Sequence, residues 1–345
     1  MPKRRSAKAQ RMPVRSWLGS ALGFRTVRLF TALSVHRTYR PRLCGQRSGV
    51  FLTALRPLAY PPAVALGGSR NEHDGGGGGT LPASDHGAGP TVTGPSPASG
   101  ALTARATANA LNAAILAEGS AERAVKEKAY LKSSLKHHGT PVPVTRKLVR
   151  SLLRSRRDLN RERLVAIAEE LWAIQVHEAR AAAVMVLAAR TELLLASDMR
   201  LLTRWLREAR TWALVDEIAP RVAGPLLARY PELEATIDQW ATDEDFWLRR
   251  AALLSYLEPL RRGEDVFERF AQLADRMLDE REFFVRKAIG WALRERGKRA
   301  PSEVHAWLRP RLARTSGVTL REAIKYLTPE QAAELTRLAS SSRRK

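Results

Sequence analysis

The sequence has very few of the residues that build metal or redox sites. Cys44 is the single cysteine among 345 residues, which excludes an intramolecular disulfide and a cysteine-based metal site. The seven histidines show no His-x-x-x-His or Cys/His spacing, so the sequence predicts no metal. Neither a P-loop nor a dinucleotide-binding glycine motif is present, and no cofactor is implied. The scarcity of cysteine fits a reducing compartment, so we expect a cytoplasmic protein, associated with the nucleoid if it is bacterial.

Long apolar runs and acidic residues are also scarce. No stretch of 18 or more apolar residues occurs, so no membrane span is predicted. The net charge is +23, and no acidic residue precedes Glu72. Such an excess attracts polyanions, of which nucleic acid is the commonest and an acidic membrane surface is the main alternative. The membrane is the weaker alternative, because the basic residues are spread over many segments rather than gathered in one amphipathic helix.

Residues 1–100 lack sustained helical or strand periodicity. They hold 14 Lys and Arg against 3 Asp and Glu, a glycine run at 75–79 and a stretch rich in Pro, Ser, Gly and Thr at 82–100. Such a segment buries too little apolar surface to offset the entropy of ordering it. We therefore predict a disordered basic segment before a folded domain at 101–345. Three interpretations stay open: a tail that adds non-specific DNA affinity, a targeting peptide, or residues upstream of the true translation start.

From residue 101 onward the chain is rich in Ala, Leu, Arg and Glu, which are strong helix formers. Apolar residues recur at spacings of three and four, no segment alternates like a strand, and short breaks contain Pro, Gly or Asp. This pattern predicts an all-α protein. Helices are expected near 103–117, 121–137, 143–155, 161–173, 177–195, 199–208, 212–219, 221–229, 232–240, 244–257, 264–278, 282–297, 302–312, 319–327 and 330–340.

The helical segments repeat. The sequence FWLRRAA at 246–252 aligns with FFVRKAI at 283–289, an offset of 37, and RKAI at 286–289 aligns with REAI at 321–324, an offset of 35. A period in the middle thirties with two helices per unit is typical of a HEAT- or TPR-like solenoid. We therefore predict a right-handed stack of antiparallel helix pairs with a concave groove that binds DNA.

The period places four charged residues at equivalent positions. Arg180, Asp216, Arg250 and Lys287 are separated by 36, 34 and 37 residues, so we expect them to face one concave surface. Three are cations, and the single carboxylate among them calls for a chemical explanation.

Two tryptophans accompany this row of charges. Trp212 lies four residues before Asp216, and Trp291 lies four residues after Lys287, so each shares a helix face with its charged neighbour. The other five tryptophans of the folded part are expected in the core: Trp172, Trp205, Trp240, Trp247 and Trp307. Alkylation at a ring nitrogen makes a purine a cation and a good leaving group. Aromatic faces attract a cation, a carboxylate stabilises the oxocarbenium ion that forms on the sugar, and basic residues hold phosphates.

At these residues the sequence resembles the AlkD-type DNA alkylation repair enzymes. Three motifs account for most of the resemblance: RTWALVD at 210–216, FWLRRAALL at 246–254 and REFFVRKAIGW at 281–291. YLKS at 130–133 and REAIK at 321–325 extend it towards both ends of the chain. It covers residues 107–335 and leaves the first hundred unmatched. One departure concerns residues 213 and 214, where Ala-Leu replaces a polar stretch of the family pattern; this bears on substrate preference.

The resemblance implies a HEAT-like glycosylase that removes N3- and N7-alkylated purines from duplex DNA without base flipping, as a 3-methyladenine/7-methylguanine-type enzyme. It implies Asp216 as the catalytic carboxylate and Trp212 and Trp291 as lesion-facing aromatic residues. The basic residues expected to contact DNA are Arg250, Arg249, Arg286, Lys287, Arg180 and Arg294. We expect a monomer with double-stranded DNA as its partner. The alternative is a non-catalytic HEAT scaffold that binds nucleic acid or protein, which has no need for Asp216 between the tryptophans.

Overall fold

The structure, a computed structural model, describes residues 97–342 except residues 157 and 158, with side chains from residue 103 to residue 341. The predicted disorder of residues 1–100 and its three interpretations therefore fall almost wholly outside the described residues. The exception is the short stretch 97–100, which forms the start of the first helix.

The described residues form sixteen α-helices and no β-strand, which confirms the predicted all-α class. In chain order the helices are α1 (Pro97–Ala117), α2 (Ala121–Leu131), α3 (Val142–Ser155), α4 (Arg161–Ala173), α5 (His177–Ala188), α6 (Met199–Ala209), α7 (Trp212–Ile218), α8 (Gly224–Arg229), α9 (Glu234–Ala241), α10 (Phe246–Leu254), α11 (Leu257–Arg262), α12 (Phe267–Arg276), α13 (Phe283–Gly297), α14 (Pro301–Leu308), α15 (Gly317–Ala323) and α16 (Pro329–Ser342).

Several helices are shorter than the sequence predicts. The helix expected at 121–137 ends at Leu131, because Lys132 adopts a left-handed conformation (φ 49°) whose N–H returns to Lys128 and Ala129. The chain then runs alongside the start of α5, where Lys136 and Val176 form an isolated parallel bridge. The helix expected at 177–195 ends as α5 at Ala188, and a 3₁₀ turn follows at Thr191–Leu193. The helix expected at 244–257 ends as α10 at Leu254, and α11, which was not predicted, begins at Leu257.

The helices pack in two rows. Helices α5, α7, α10, α13 and α15 contact one another in chain order, and we call this row the site layer. Helices α4, α6, α9, α12 and α14 each pack against a helix of the site layer, and α3 packs against α5 and α1. This is the order that stacked helix pairs require, so the repeat deduced from the sequence corresponds to the packing. The handedness of the stack and the concavity of its groove stay predictions.

Apolar residues from both rows form one continuous core. All five tryptophans predicted for the core are buried, which confirms that expectation. The rings of Trp172 and Trp205, one repeat apart, stack at 4.4 Å between centroids and 3° between planes. The Trp172 indole N–H donates to Glu208 at 2.6 Å and that of Trp240 to Thr203 at 3.1 Å, so both pair a polar atom that burial would otherwise leave unsatisfied.

Polar side chains also link adjacent repeats. Arg207 donates to Asp243, 36 residues away, at 2.6 Å, and Arg314 donates to Asp279, 35 residues away, at 2.9 Å. Each pair joins equivalent regions of successive units, because its separation in the chain is one period. The arginines of this protein therefore serve the stack as well as its surface charge.

A single π-helical turn at Ala219–Ala223 joins α7 to α8. Pro220 has no N–H to donate to the carbonyl of Asp216, four residues earlier, and its ring crowds that carbonyl. The wider turn accommodates both effects, and π-turns of this kind frequently lie at functional sites. At Gly224, where α8 begins, a Cβ would lie 2.5 Å from the carbonyl oxygen of Ser255, so only glycine fits there.

Candidate functional site

The site is built around the first turns of α7. Thr211 caps the helix by accepting the N–H of Ala213 at 3.4 Å, which makes Trp212 its first residue and places Asp216 one turn later. The Trp212 ring is half-buried and meets Tyr130 of α2 edge to face, with centroids 5.9 Å apart. Tyr130 is 69% exposed, so this aromatic pair lies at the surface beside the carboxylate-bearing helix.

Asp216 forms a bidentate ion pair with Arg250 of α10. Arg250 Nε donates to Oδ1 and Nη2 to Oδ2, both at 2.8 Å, and Nη1 donates to the Phe284 carbonyl of α13. Arg250 is 3% exposed, whereas 15% of the Asp216 side chain is exposed. Each carboxylate oxygen keeps a second acceptor position, so Asp216 is fixed in orientation and can still act on a group from outside.

Arg250 and Arg180 do not lie on the surface, although the sequence analysis expects both on the groove. Arg180 is 6% exposed; its Nη1 donates to the Glu208 carbonyl at 2.9 Å and its Nε to the Trp172 carbonyl at 3.2 Å. Both guanidinium groups satisfy carbonyl oxygens at junctions between repeats, where a long side chain with several donors is required. Both side chains are therefore buried, and their place on one concave surface and a phosphate contact by either stay predictions.

The remaining predicted DNA contacts divide into paired and exposed groups. Arg249 donates to Glu280 at 2.7 Å, Arg286 to the Glu280 carbonyl, and Arg294 to Glu322. Lys287 is exposed and lies over the Phe283 ring, with Nζ 5.8 Å from the centroid. Of the six, Lys287 is the one that is exposed, and it forms no ion pair within the described part of the chain.

Trp291 lies on α13, one turn beyond Lys287, and is half-buried against the core. Trp212 is likewise half-buried. The structure thus places the two tryptophans, Asp216 and Arg250 on α7, α10 and α13, and α10 contacts both of the other two helices.

Helix α3 carries a basic surface that was not predicted from the sequence. Lys147, Arg150 and Arg154, which we call the α3 basic face, are exposed and have no ion-pair partner among the residues that the structure describes. Their spacing of three and four puts them on one side of the helix, opposite the buried Thr145, Val149 and Leu153. The signal is present in the sequence, because the segment 142–155 holds several cations and no acid.

Helix α3 also lies near the site. Burial raises the pKa of Glu217, the residue after Asp216, and the charge of Arg146 on α3 acts in the opposite direction, as does that of Arg221. Arg221 pairs with Glu217 at 2.8 Å. Helix α3 packs against α5, which in turn packs against α7.

Elsewhere in the described chain, Glu127, His137 and Glu178 bring three potential metal-ligand atoms within 4.8 Å of one another. This group lies on α2, on the loop that follows it and on α5. No helix in the described part of the chain is both long and apolar enough to cross a bilayer.

Comparisons with known proteins agree with this geometry. A sequence model of the DNA alkylation repair enzyme family matches residues 111–327. A solved structure described as a predicted DNA alkylation repair enzyme from Enterococcus faecalis superposes with a TM-score of 0.56 at 24% identity, over 61% of this chain and 98% of that one. At 24% identity, the similarity to this structure establishes the fold of the chain. No curated protein matches the sequence.

Proposed function

Because this chain belongs to the DNA alkylation repair enzyme family, we propose that it is a DNA glycosylase that excises N3- and N7-alkylated, cationic purines from duplex DNA. Family membership gives the coarser role, repair of alkylated DNA. The observation that carries the finer proposal is the Asp216 carboxylate, held by two hydrogen bonds from Arg250, partly exposed, and one helical turn from the half-buried Trp212.

The chemistry asked of Asp216 is electrostatic. Departure of a cationic base leaves positive charge on the deoxyribose, and a carboxylate that is already oriented stabilises that charge without reorganising. Its free acceptor positions can also orient the attacking water. Trp212 and Trp291 offer aromatic faces to a cationic base or to the sugar. A fixed surface of this kind suits a mechanism in which the base is not flipped into a pocket.

Arg250 takes a different role from the one that the family resemblance implies. All three of its side-chain nitrogens donate to protein acceptors, so its contribution is to position Asp216 and to join α7, α10 and α13. Phosphate contacts then fall to exposed cations, namely Lys287 and the α3 basic face. Phosphates bind such side chains without regard to sequence, and binding weakens as salt is added.

The test is base release by an Asp216→Asn variant. Duplex DNA that carries N7-methylguanine is incubated with the protein, and free base is separated and quantified. We expect the parent to release base and Asp216→Asn to be slower by a factor on the order of 10² or more. DNA affinity should stay the same or rise, because a negative charge near the phosphates is removed. Glu217→Gln is the matched control, since it neutralises the adjacent carboxylate and should leave the rate unchanged.

The second candidate function is a non-catalytic scaffold, and the ion pair itself favours it. A structural link between repeats explains Asp216 without any chemistry, since the carboxylate balances a buried arginine. A protein that shifts duplex DNA in a gel but releases no methylated base would support the scaffold. So would an Asp216→Asn variant that releases base at the parental rate.

A further inference from the structure

We propose that Glu127, His137 and Glu178 form a binding site for one divalent transition-metal ion of the zinc type. The three ligand atoms lie within 4.8 Å of one another. One imidazole nitrogen and two carboxylate oxygens are a donor set that zinc accepts, whereas magnesium prefers oxygen ligands throughout. The sequence predicts no metal here because the ligands are 10 and 41 residues apart and belong to three different elements.

The imidazole of His137 is the observation that points to a ligand. The residue is 7% exposed, yet neither ring nitrogen has a hydrogen-bond partner among the described residues. One face of the ring stacks on His177, with centroids 4.7 Å apart and planes within 7°. Stacking occupies the face of the ring and provides no hydrogen-bond partner for the two nitrogens, which bond in the plane of the ring. Buried polar atoms are normally paired, so two bare nitrogens beside two carboxylates call for a cation.

Both carboxylates keep acceptor capacity for an ion. Glu178 is 4% exposed, and its Oε1 accepts the N–H groups of His138, Gly139 and Thr140 at 2.6–3.3 Å, whereas Oε2 accepts only that of His138. Glu127 pairs through Oε1 with Arg123 at 2.5 Å, and a carboxylate has more acceptor positions than one such contact occupies. Two partly desolvated carboxylates this close repel each other, and Arg123 offsets only part of that charge. A divalent cation would neutralise the remainder.

The consequence of such an ion is mechanical. Helix α2, which carries Glu127, has no buried residue of its own, so its apolar contacts hold it weakly. An ion shared with Glu178 of α5 and with His137 would tie α2 to the site layer. Because Tyr130 of α2 contacts Trp212, the same tie fixes the aromatic edge of the proposed active site. The inference concerns the ion and stands apart from the glycosylase proposal, since binding can be measured without DNA.

Titration of the metal-free full-length chain with zinc chloride in a calorimeter tests the proposal. We expect about one zinc ion per chain, no comparable binding of magnesium, and a melting temperature raised by about 5–10 °C when free zinc exceeds the Kd about 100-fold. His137→Gln should weaken zinc binding by at least about tenfold, the loss seen even for outer partners of a metal site.

His138→Gln is the matched control. It is the next residue, and its Nε2 already pairs with Asn112 at 3.1 Å, so zinc affinity should stay at the parental value. Glu127→Gln provides a second variant should His137→Gln fail to fold, and it should lose affinity similarly. A parent that binds no zinc, or equal losses in the His137 and His138 variants, would overturn the proposal.

Discussion

Replacement of Arg250 by methionine separates a positioning role from a phosphate contact. Methionine keeps much of the apolar stem and removes three hydrogen bonds, two to Asp216 and one to the Phe284 carbonyl. The carboxylate is then 15% exposed with no cation opposite it. Breaking a buried pair by removal of one partner typically costs about 3–5 kcal/mol. For a folded part of this size, the cost lowers Tm by about 6–20 °C.

The double variant Arg250→Met with Asp216→Asn shows how much of that cost is the unpaired charge. An asparagine keeps the shape without the charge, so the double variant should be more stable than Arg250→Met alone by at least about 1 kcal/mol, because an unpaired buried charge costs more than an unpaired neutral polar group. Thermal melts of the parent, the two single variants and the double variant complete the cycle.

Activity gives the second readout. Base release from N7-methylguanine DNA should fall in Arg250→Met because Asp216 loses its fixed orientation, whereas the affinity for undamaged duplex should stay near the parental value. The opposite pattern would refute this reasoning: unchanged Tm and rate, weaker DNA binding, and a salt slope smaller by about one. That pattern marks a lost phosphate contact.

Three further predictions follow from the described contacts. Alanine at all three positions of the α3 basic face should reduce the slope of log K for duplex DNA against log salt concentration by up to about 2.7, with little change in Tm. The control is Arg309→Ala, which removes an exposed cation that is paired with a glutamate. Gly290→Ala would place a Cβ 2.7 Å from the Thr319 carbonyl oxygen and should lower the free energy of unfolding by about 1–3 kcal/mol. Gly297→Ala, whose Cβ would have its nearest neighbour at 3.9 Å, should leave it unchanged, and urea melts of both variants test this. Burial raises the pKa of Glu217 in the folded state. The stability that this carboxyl contributes is therefore complete below pH 4.5 and is lost as the pH rises through the folded-state pKa. In thermal melts from about pH 4 to about pH 8, Glu217→Gln should lack this decline in stability.

The elements could be predicted because their determinants are local. The apolar spacing of α4 gives the predicted bounds 161–173, and those of α7 agree to within a residue. The end of α2 could not be predicted in this way, because it depends on a distant pairing. The chain after Lys132 lies against the start of α5, and only the fold brings Lys136 beside Val176.

The same distinction applies to the site. The repeat period brings Asp216 and Arg250 to equivalent positions, and the structure shows that they are in direct contact. The periodicity predicts on which helix, and on which face of that helix, a residue lies. It does not predict whether an arginine there extends into solvent or donates to a carbonyl oxygen of the next repeat. For Arg180 two of the three acceptors are backbone oxygens, those of residues 172 and 208, which no pattern of residue types reveals. The α3 basic face was open to prediction and was missed because it lies outside the repeat-equivalent row.

The ion pair between Asp216 and Arg250 also constrains how this sequence can change over time. Loss of either residue alone leaves a buried charge without a partner, whereas loss of both together is nearly neutral when the replacements fill the space. Under the proposed glycosylase function, a descendant that keeps only DNA binding should therefore exchange the two residues as a pair. Joint substitution at 216 and 250, with the exposed cations retained, would be the genetic signature that distinguishes a binding protein from an enzyme among the relatives of this chain.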